Sequence, residues 1–159
     1  MRVTLIGWGN RGRKDDGIAH HLLEMLAIQD WPDGIMPTLR AYHQLGPEVI
    51  IDLQDADVVV FMDAHVNLDE EAIAWNEIHA SDGSTLDSHH CTPESLLQLA
   101  TALGTPCPRA FTLGMRAFHC GYGDELSHLC QPLLHRASSM LMTKLADLLD
   151  RPTTVRQLT

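Results

Sequence analysis

Two aspartates and one histidine are the side chains in this sequence best suited to chemistry at a shared site. Asp16 follows a strand-like run near the N-terminus, and Asp63 directly follows the apolar run 58–62. His89 comes after a long segment without a strong pattern and just before a predicted helix. Two carboxylates and one imidazole, with positions left open for water or a substrate ligand, suit a borderline divalent ion such as nickel or zinc. These residue types therefore predict a metal site.

Neighbouring residues leave alternatives at two of these positions. An aspartate before a helix often caps it, because its carboxylate accepts hydrogen bonds from the free amides there. One of Asp15 and Asp16 can take that role, and the other one is then available for a different role, such as metal binding. His90 could replace His89 as a ligand, and Cys91 is a softer alternative nearby. The spacing of these candidate ligands differs from that of the two-histidine helix motif in common zinc proteases.

Residues 7–12 match the GxGxxG pattern of dinucleotide-binding folds and directly follow a strand-like run. In those folds the helix begins at the third glycine, so that its N-terminus faces the pyrophosphate. Here residues 13–17 intervene and place two carboxylates near that position. The second predicted strand ends in Tyr42-His43-Gln44 instead of the acidic residue that binds the ribose. The sequence therefore argues against a dinucleotide cofactor.

Alternating strands and helices must position the candidate ligands. Strands are predicted at residues 2–7, 38–43, 58–62, 75–79 and 110–115, the fourth as an edge strand, and helices at 17–27, 47–54, 93–103 and 126–149. Parallel strands need helical crossovers, which cover both faces of a sheet. We expect an α/β three-layer sandwich with a mostly parallel twisted sheet of about five strands and helices on both faces. Asp16 and Asp63 would then lie at the carboxyl edge of the sheet, where such folds bind ligands.

Composition and charge narrow the functional classes. The length of 159 residues fits a single domain, which we place at residues 1–150, with 151–159 as a flexible tail. The formal net charge of -10 argues against nucleic acid as a partner, because the chain has no basic stripe. No apolar run approaches the ~20 residues of a membrane span. Four cysteines without CxxC spacing indicate free thiols in a reducing compartment, so we expect a cytoplasmic protein.

Over nearly its whole length the sequence resembles the NiFe-hydrogenase maturation endopeptidases. The matching pieces are, in chain order, Gly7-Trp8-Gly9-Asn10, Asp15-Asp16-Gly17, His43-Gln44-Leu45, Phe61-Met62-Asp63-Ala64 and residues 88–94 and 121–127. Each piece is short, but their order and separation together are specific. Two positions depart from the family pattern: Ala19 stands where glycine is common, and Asp16 stands where glutamate is frequent.

This resemblance implies a function and a set of site residues. It implies an endopeptidase that removes the C-terminal extension of a NiFe-hydrogenase large-subunit precursor after nickel insertion. Asp16, Asp63 and His89 would be the metal ligands and catalytic residues. The nickel would arrive with the substrate and serve as the recognition element, while Gln44 and His90 would contact the substrate. We expect the chain to act as a monomer.

Two other functions fit the same residues. A non-enzymatic nickel carrier, or metallochaperone, would use the acidic and histidine side chains to hold metal without cutting anything. Such a carrier should bind free nickel tightly, whereas a protease that shares the metal of its substrate needs only weak binding. A different peptidase on a related α/β scaffold would keep the fold without nickel selectivity.

Overall fold

The computed structural model describes residues 1–66, 72–80 and 91–150 of the chain. These residues form one five-stranded sheet with helices packed against it. The strands are β1 Arg2–Trp8, β2 Met36–Tyr42, β3 Val58–His65, β4 Ile73–Ile78 and β5 Arg109–Arg116. The α-helices are α1 Ile18–Ala27, α2 Pro93–Ala102 and α3 Gln131–Asp150, and two 3₁₀ helices span Lys14–Gly17 and Pro47–Leu53. The predicted α/β class is confirmed.

The order of the strands creates a natural ligand position. Across the sheet the order is β2-β1-β3-β5-β4, and only β4, at one edge, runs antiparallel to its neighbour among the described strands. The chain builds outward from β1 to β2 on one side and then continues from β3 on the other side. Open α/β sheets bind ligands at such a reversal, outside the carboxyl ends of the strands. Asp63 in β3 and Asp16 after β1 both lie at this reversal.

Apolar side chains fill both faces of the sheet. Along β3, Val60 and Met62 belong to the core that contains α1 and α3, whereas Val59 and Phe61 belong to the core that contains α2 and the second 3₁₀ helix. Successive side chains of a strand point to opposite faces, so a continuous apolar run is typical of a parallel strand covered on both sides. The two cores confirm the predicted three-layer sandwich.

Two helix starts shape the surroundings of the site. Thr92 caps α2: its hydroxyl accepts a hydrogen bond from the Ser95 amide, and the Ser95 hydroxyl accepts one from the Thr92 amide. Helix α3 begins at Gln131, not at residue 126 as predicted. The reason is that the Ser127 amide and hydroxyl both donate to the Asp15 carboxylate instead of continuing a helix.

Other expectations concern the whole chain. The predicted tail, residues 151–159, lies outside the described residues. No helix within residues 1–66, 72–80 and 91–150 has the length and apolar character needed to cross a membrane. All four cysteines are free thiols, and Cys130 is the buried one.

Candidate functional site

The loop after β1 brings Asp16 to the carboxyl edge of the sheet. Gly9 has a φ angle of 139°, and a β-carbon at this position would collide with the carbonyl oxygen of Asp16. Glycine therefore allows the loop to fold back this closely on its own start. The Asn10 amide donates a hydrogen bond of 2.8 Å to Asp16 Oδ2. One carboxylate oxygen of Asp16 is thus held by the backbone of its own loop.

Asp63 lies near the carboxyl end of β3, close enough to Asp16 for the two charges to interact. Its Oδ1 accepts a 2.7 Å hydrogen bond from the Ala64 amide. Burial of the carboxyl group, together with the negative charge of Asp16, raises the pKa of Asp63 to about 7. At neutral pH a substantial share of the molecules therefore carries a proton on this group when no cation is near. A divalent cation between the two carboxylates would remove their repulsion, so the pair fits a metal ion.

The other residues predicted for the site are His89, His90 and Gln44. His89 and His90 lie outside the described residues. The described residues stop at 80 and resume at 91. Among the described residues, no group of three or more His, Cys, Asp or Glu side chains is placed to hold a metal ion. Gln44 is exposed in the bend after β2 and is not part of the lining of the adjacent cleft. The ligand role of His89 and the substrate contacts of Gln44 and His90 stay predictions.

Asp15 has a different role from the helix cap considered for the aspartate pair. Helix α1 has Gly17 at its N-cap and no side-chain cap, so that interpretation is wrong. Asp15 is fully buried, and its carboxylate accepts hydrogen bonds from the Phe118 amide, the His119 amide and both the amide and hydroxyl of Ser127. Burial alone would raise the pKa of Asp15, but these hydrogen bonds outweigh it and hold the pKa below its usual value.

A cleft of about 420 Å³ opens beside Asp63. The rings of Trp8 and Phe61 line it and meet edge to face, with centroids 6.3 Å apart. Asn76 of β4 and Thr92 at the start of α2 add polar groups. Clefts of this size with apolar walls and a few polar groups are typical ligand sites. The arrangement suits a peptide segment whose backbone needs hydrogen-bonding partners next to apolar side-chain contacts.

Two cysteines lie at this edge of the sheet. Cys91, which the sequence offered as a soft alternative ligand, lines the cleft together with Asp63. Cys120 lies near the aspartates, since burial and the negative charges of Asp16 and Asp15 raise the pKa of its thiol. Sequence reasoning missed Cys120 because no spacing pattern links it to residues more than 100 positions earlier in the chain.

The sequence matches no family model and no curated protein at a significant level. Its structure, however, is similar to solved hydrogenase maturation proteases. The hydrogenase maturating endopeptidase HybD from E. coli aligns with a TM-score of 0.72 at 16% identity, covering 92% of this chain and 93% of that chain. This chain has the fold of the hydrogenase maturation proteases.

Two further structures give the same result. The hydrogenase 2 maturation peptidase from Thaumarchaeota archaeon SCGC_AB-539-E09 aligns with a TM-score of 0.67 at 21% identity, over 92% of this chain and 99% of that chain. The NiFe hydrogenase maturation protease HycI from Thermococcus kodakarensis KOD1 aligns with a TM-score of 0.66 at 18% identity, over 91% and 92% of the two chains. The resemblance seen in short sequence motifs therefore extends to the fold of almost the whole chain.

Proposed function

We propose that this chain is an endopeptidase that removes the C-terminal extension of a NiFe-hydrogenase large-subunit precursor after nickel has been inserted. The observation that carries the proposal is the pair of carboxylates, Asp16 and Asp63, at the strand-order reversal of a hydrogenase maturation protease fold. We further propose that it acts as a monomer in the cytoplasm, a reducing compartment that suits its four free cysteines.

The carboxylate pair gives a physical reason for a nickel requirement. Asp16 and Asp63, together with His89, would bind nickel that the thiolates of the substrate already hold. Without a cation, burial disfavours the ionised form of Asp63, and the negative charge of Asp16 adds repulsion; both raise the pKa of Asp63. A nickel-free precursor would bring no positive charge to relieve this repulsion and would bind weakly. Discrimination between loaded and empty precursors would follow from this difference in binding free energy.

The cleft beside Asp63 would receive the polypeptide around the cut. Trp8 and Phe61 offer apolar contacts, and Asn76 and Thr112 offer hydrogen bonds. Contacts along the extension would hold the scissile peptide bond close to the carboxylates, which converts binding energy into orientation. When nickel is bound, it supplies Lewis-acid polarisation of a carbonyl or activation of a water molecule.

Replacing Asp16 by asparagine tests the proposal. Asparagine keeps the shape and can still accept the Asn10 hydrogen bond, but it lacks the negative charge that nickel needs. Asp16→Asn should reduce the rate of processing of the nickel-loaded precursor by more than about 100-fold. Even the mutation of residues that only support metal ligands lowers metal affinity or activity by about 10–100-fold. Intact mass spectrometry of the precursor over time measures the rate.

A matched control is Asp57→Asn. The Asp57 carboxylate accepts hydrogen bonds from Arg2 and lies just before the start of β3, at the opposite end of this strand from the site. This variant should process the precursor at the wild-type rate per folded molecule. Wild-type activity in Asp16→Asn would remove Asp16 from the site. An uncut precursor combined with tight binding of free Ni²⁺ by this chain would instead favour the nickel carrier.

A further inference from the structure

We propose that Asp15 is a positioning residue, which orients the neighbouring Asp16 by anchoring the 3₁₀ helix Lys14–Gly17 to the segment between β5 and α3. The activity part of this inference rests on the proposed function, because the orientation of Asp16 affects processing only if Asp16 belongs to the site. The structural part, in which Asp15 fixes the hydrogen bond between Asn10 and Asp16, stands independently of that function.

The anchor is a buried, fully partnered carboxylate. Asp15 has no exposed surface. Its Oδ2 accepts hydrogen bonds from the Phe118 amide at 3.0 Å, the His119 amide at 2.9 Å and the Ser127 hydroxyl at 2.7 Å, and its Oδ1 accepts one from the Ser127 amide at 2.7 Å. Hydrogen bonds to an ionised group are stronger than neutral ones, and a buried charge requires them. Asp15 therefore joins two segments that lie more than 100 residues apart in the chain.

Backbone bonds around Asp15 complete the connection. The Asp15 amide donates to His119 O at 3.0 Å, and the Lys14 amide donates to Gly123 O at 2.7 Å. Lys14 has a φ angle of 47°, a left-handed conformation that costs a non-glycine residue free energy. Such a conformation persists only where its surroundings hold it in place. The amide bond from Lys14 to Gly123 holds this residue directly, and the bonds of Asp15 hold the next residue in the chain.

The geometry of a 3₁₀ helix couples the two aspartates. With 3.0 residues per turn, consecutive side chains point about 120° apart. When the Asp15 carboxylate is fixed to the 118–127 segment, the direction of the Asp16 side chain is fixed as well. On the opposite side, the backbone of Asp16 packs against Gly9, and Asp16 Oδ2 accepts the hydrogen bond from the Asn10 amide. Releasing Asp15 would let the turn rotate and move the Asp16 carboxylate relative to Asp63.

The variants Asp15→Asn and Ser127→Ala test this role, with Asp57→Asn as the control. Asparagine at position 15 keeps the shape but loses the charge that several donors share, whereas Ser127→Ala removes only the hydroxyl donor. A misplacement of about 1 Å at a reacting centre costs about 100-fold in rate. We expect kcat/KM for the nickel-loaded precursor, per folded molecule, to fall about 100-fold in Asp15→Asn and about 10-fold in Ser127→Ala, with no change in Asp57→Asn.

A second measurement separates positioning from general loss of stability. The amide resonance of Asn10 in ¹H–¹⁵N NMR reports on its hydrogen bond to Asp16 without any substrate. It should shift in Asp15→Asn and Ser127→Ala and remain in place in Asp57→Asn, with all samples kept well below their melting temperatures. Ser127→Ala retains the buried carboxylate and its amide donors, so it carries the test if Asp15→Asn does not fold.

The outcomes are distinct. An unmoved Asn10 resonance and an unchanged kcat/KM in folded Asp15→Asn or Ser127→Ala would show that Asp15 is only a structural residue. If the wild-type protein fails to cut a correctly loaded precursor, the proposed function is wrong. In that case the shift of the Asn10 resonance still decides whether Asp15 positions Asp16.

Discussion

Replacing Asp63 by asparagine should make the metal-free protein more stable at neutral and alkaline pH. Burial and the charge of Asp16 raise the pKa of Asp63 from 3.8 to about 7. The folded state therefore binds this proton more tightly than the unfolded chain does. The corresponding stability is fully present below about pH 4 and is lost as the pH rises through about 7. Asparagine can still accept the hydrogen bond from Ala64, but it never acquires the charge.

The size of the effect follows from the pKa of Asp63. A tenfold change in proton affinity corresponds to about 1.4 kcal/mol, so the wild-type protein should lose roughly 4 kcal/mol of unfolding free energy between pH 4 and pH 8 on account of this group. Roughly 2 kcal/mol of that loss should have occurred by pH 6. Asp63→Asn lacks this loss. The variant should therefore match the wild-type protein within about 1 kcal/mol at pH 4 and exceed it by roughly 4 kcal/mol at pH 8.

Chemical denaturation in chelator-treated buffer at pH 4, 6 and 8 measures these differences. Asp57→Asn provides a control of opposite sign, because the Arg2 amide and guanidinium lower the pKa of Asp57. The stability that Asp57 provides is present above its unfolded pKa and is lost as the pH falls. Asp57→Asn should thus be less stable than the wild-type protein at pH 8, with the difference fading towards pH 3. A stability difference for Asp63→Asn that does not change with pH would refute the reasoning that burial and the charge of Asp16 raise the pKa of Asp63.

Two further predictions concern residues next to the site and in the sheet. Gly9→Ala should destabilise the protein by about 2–4 kcal/mol, because its φ angle of 139° is unfavourable for alanine and the added carbon collides with the Asp16 backbone; an unchanged melting temperature would contradict this. Burial and the hydrogen bond to Asp52 raise the pKa of Tyr42 to about 12. In an ultraviolet titration one of the two tyrosines should ionise near this value, and Tyr42→Phe should remove that transition. Both tyrosines titrating near pH 10 would contradict the burial of Tyr42 together with its hydrogen bond to Asp52.

The fold could be predicted from the sequence because its strongest signals are local. The run 58–62 of β3 is apolar at every position, so both faces of the strand must be covered. It is followed by a carboxylate at the edge where α/β sheets bind ligands. The cap at Thr92 is likewise a local pattern, because Thr92 and its partner Ser95 lie only three residues apart. The proximity of Asp16 and Asp63 could be predicted because parallel strands place their carboxyl ends at one edge of the sheet.

The role of Asp15 could not be predicted, and the reason is physical. Its partners include the backbone amides of Phe118 and His119, and every residue other than proline has such an amide. No residue type marks these donors in the sequence. The late start of α3 has the same cause, since Ser127 looks like a helix-initiating residue until its hydroxyl is seen to donate to Asp15. Only the tertiary structure brings these segments together.

The most direct test of the proposed function is the intact mass of a cognate hydrogenase large-subunit precursor after incubation with this chain. One sample carries nickel, verified by metal analysis, and a parallel sample of the same precursor is nickel-free. The proposal predicts the loss of a C-terminal peptide in the nickel-loaded sample and an unchanged mass in the nickel-free sample. An unchanged mass in the loaded sample would contradict the endopeptidase function, and cutting of both samples would contradict the role of nickel as the recognition element.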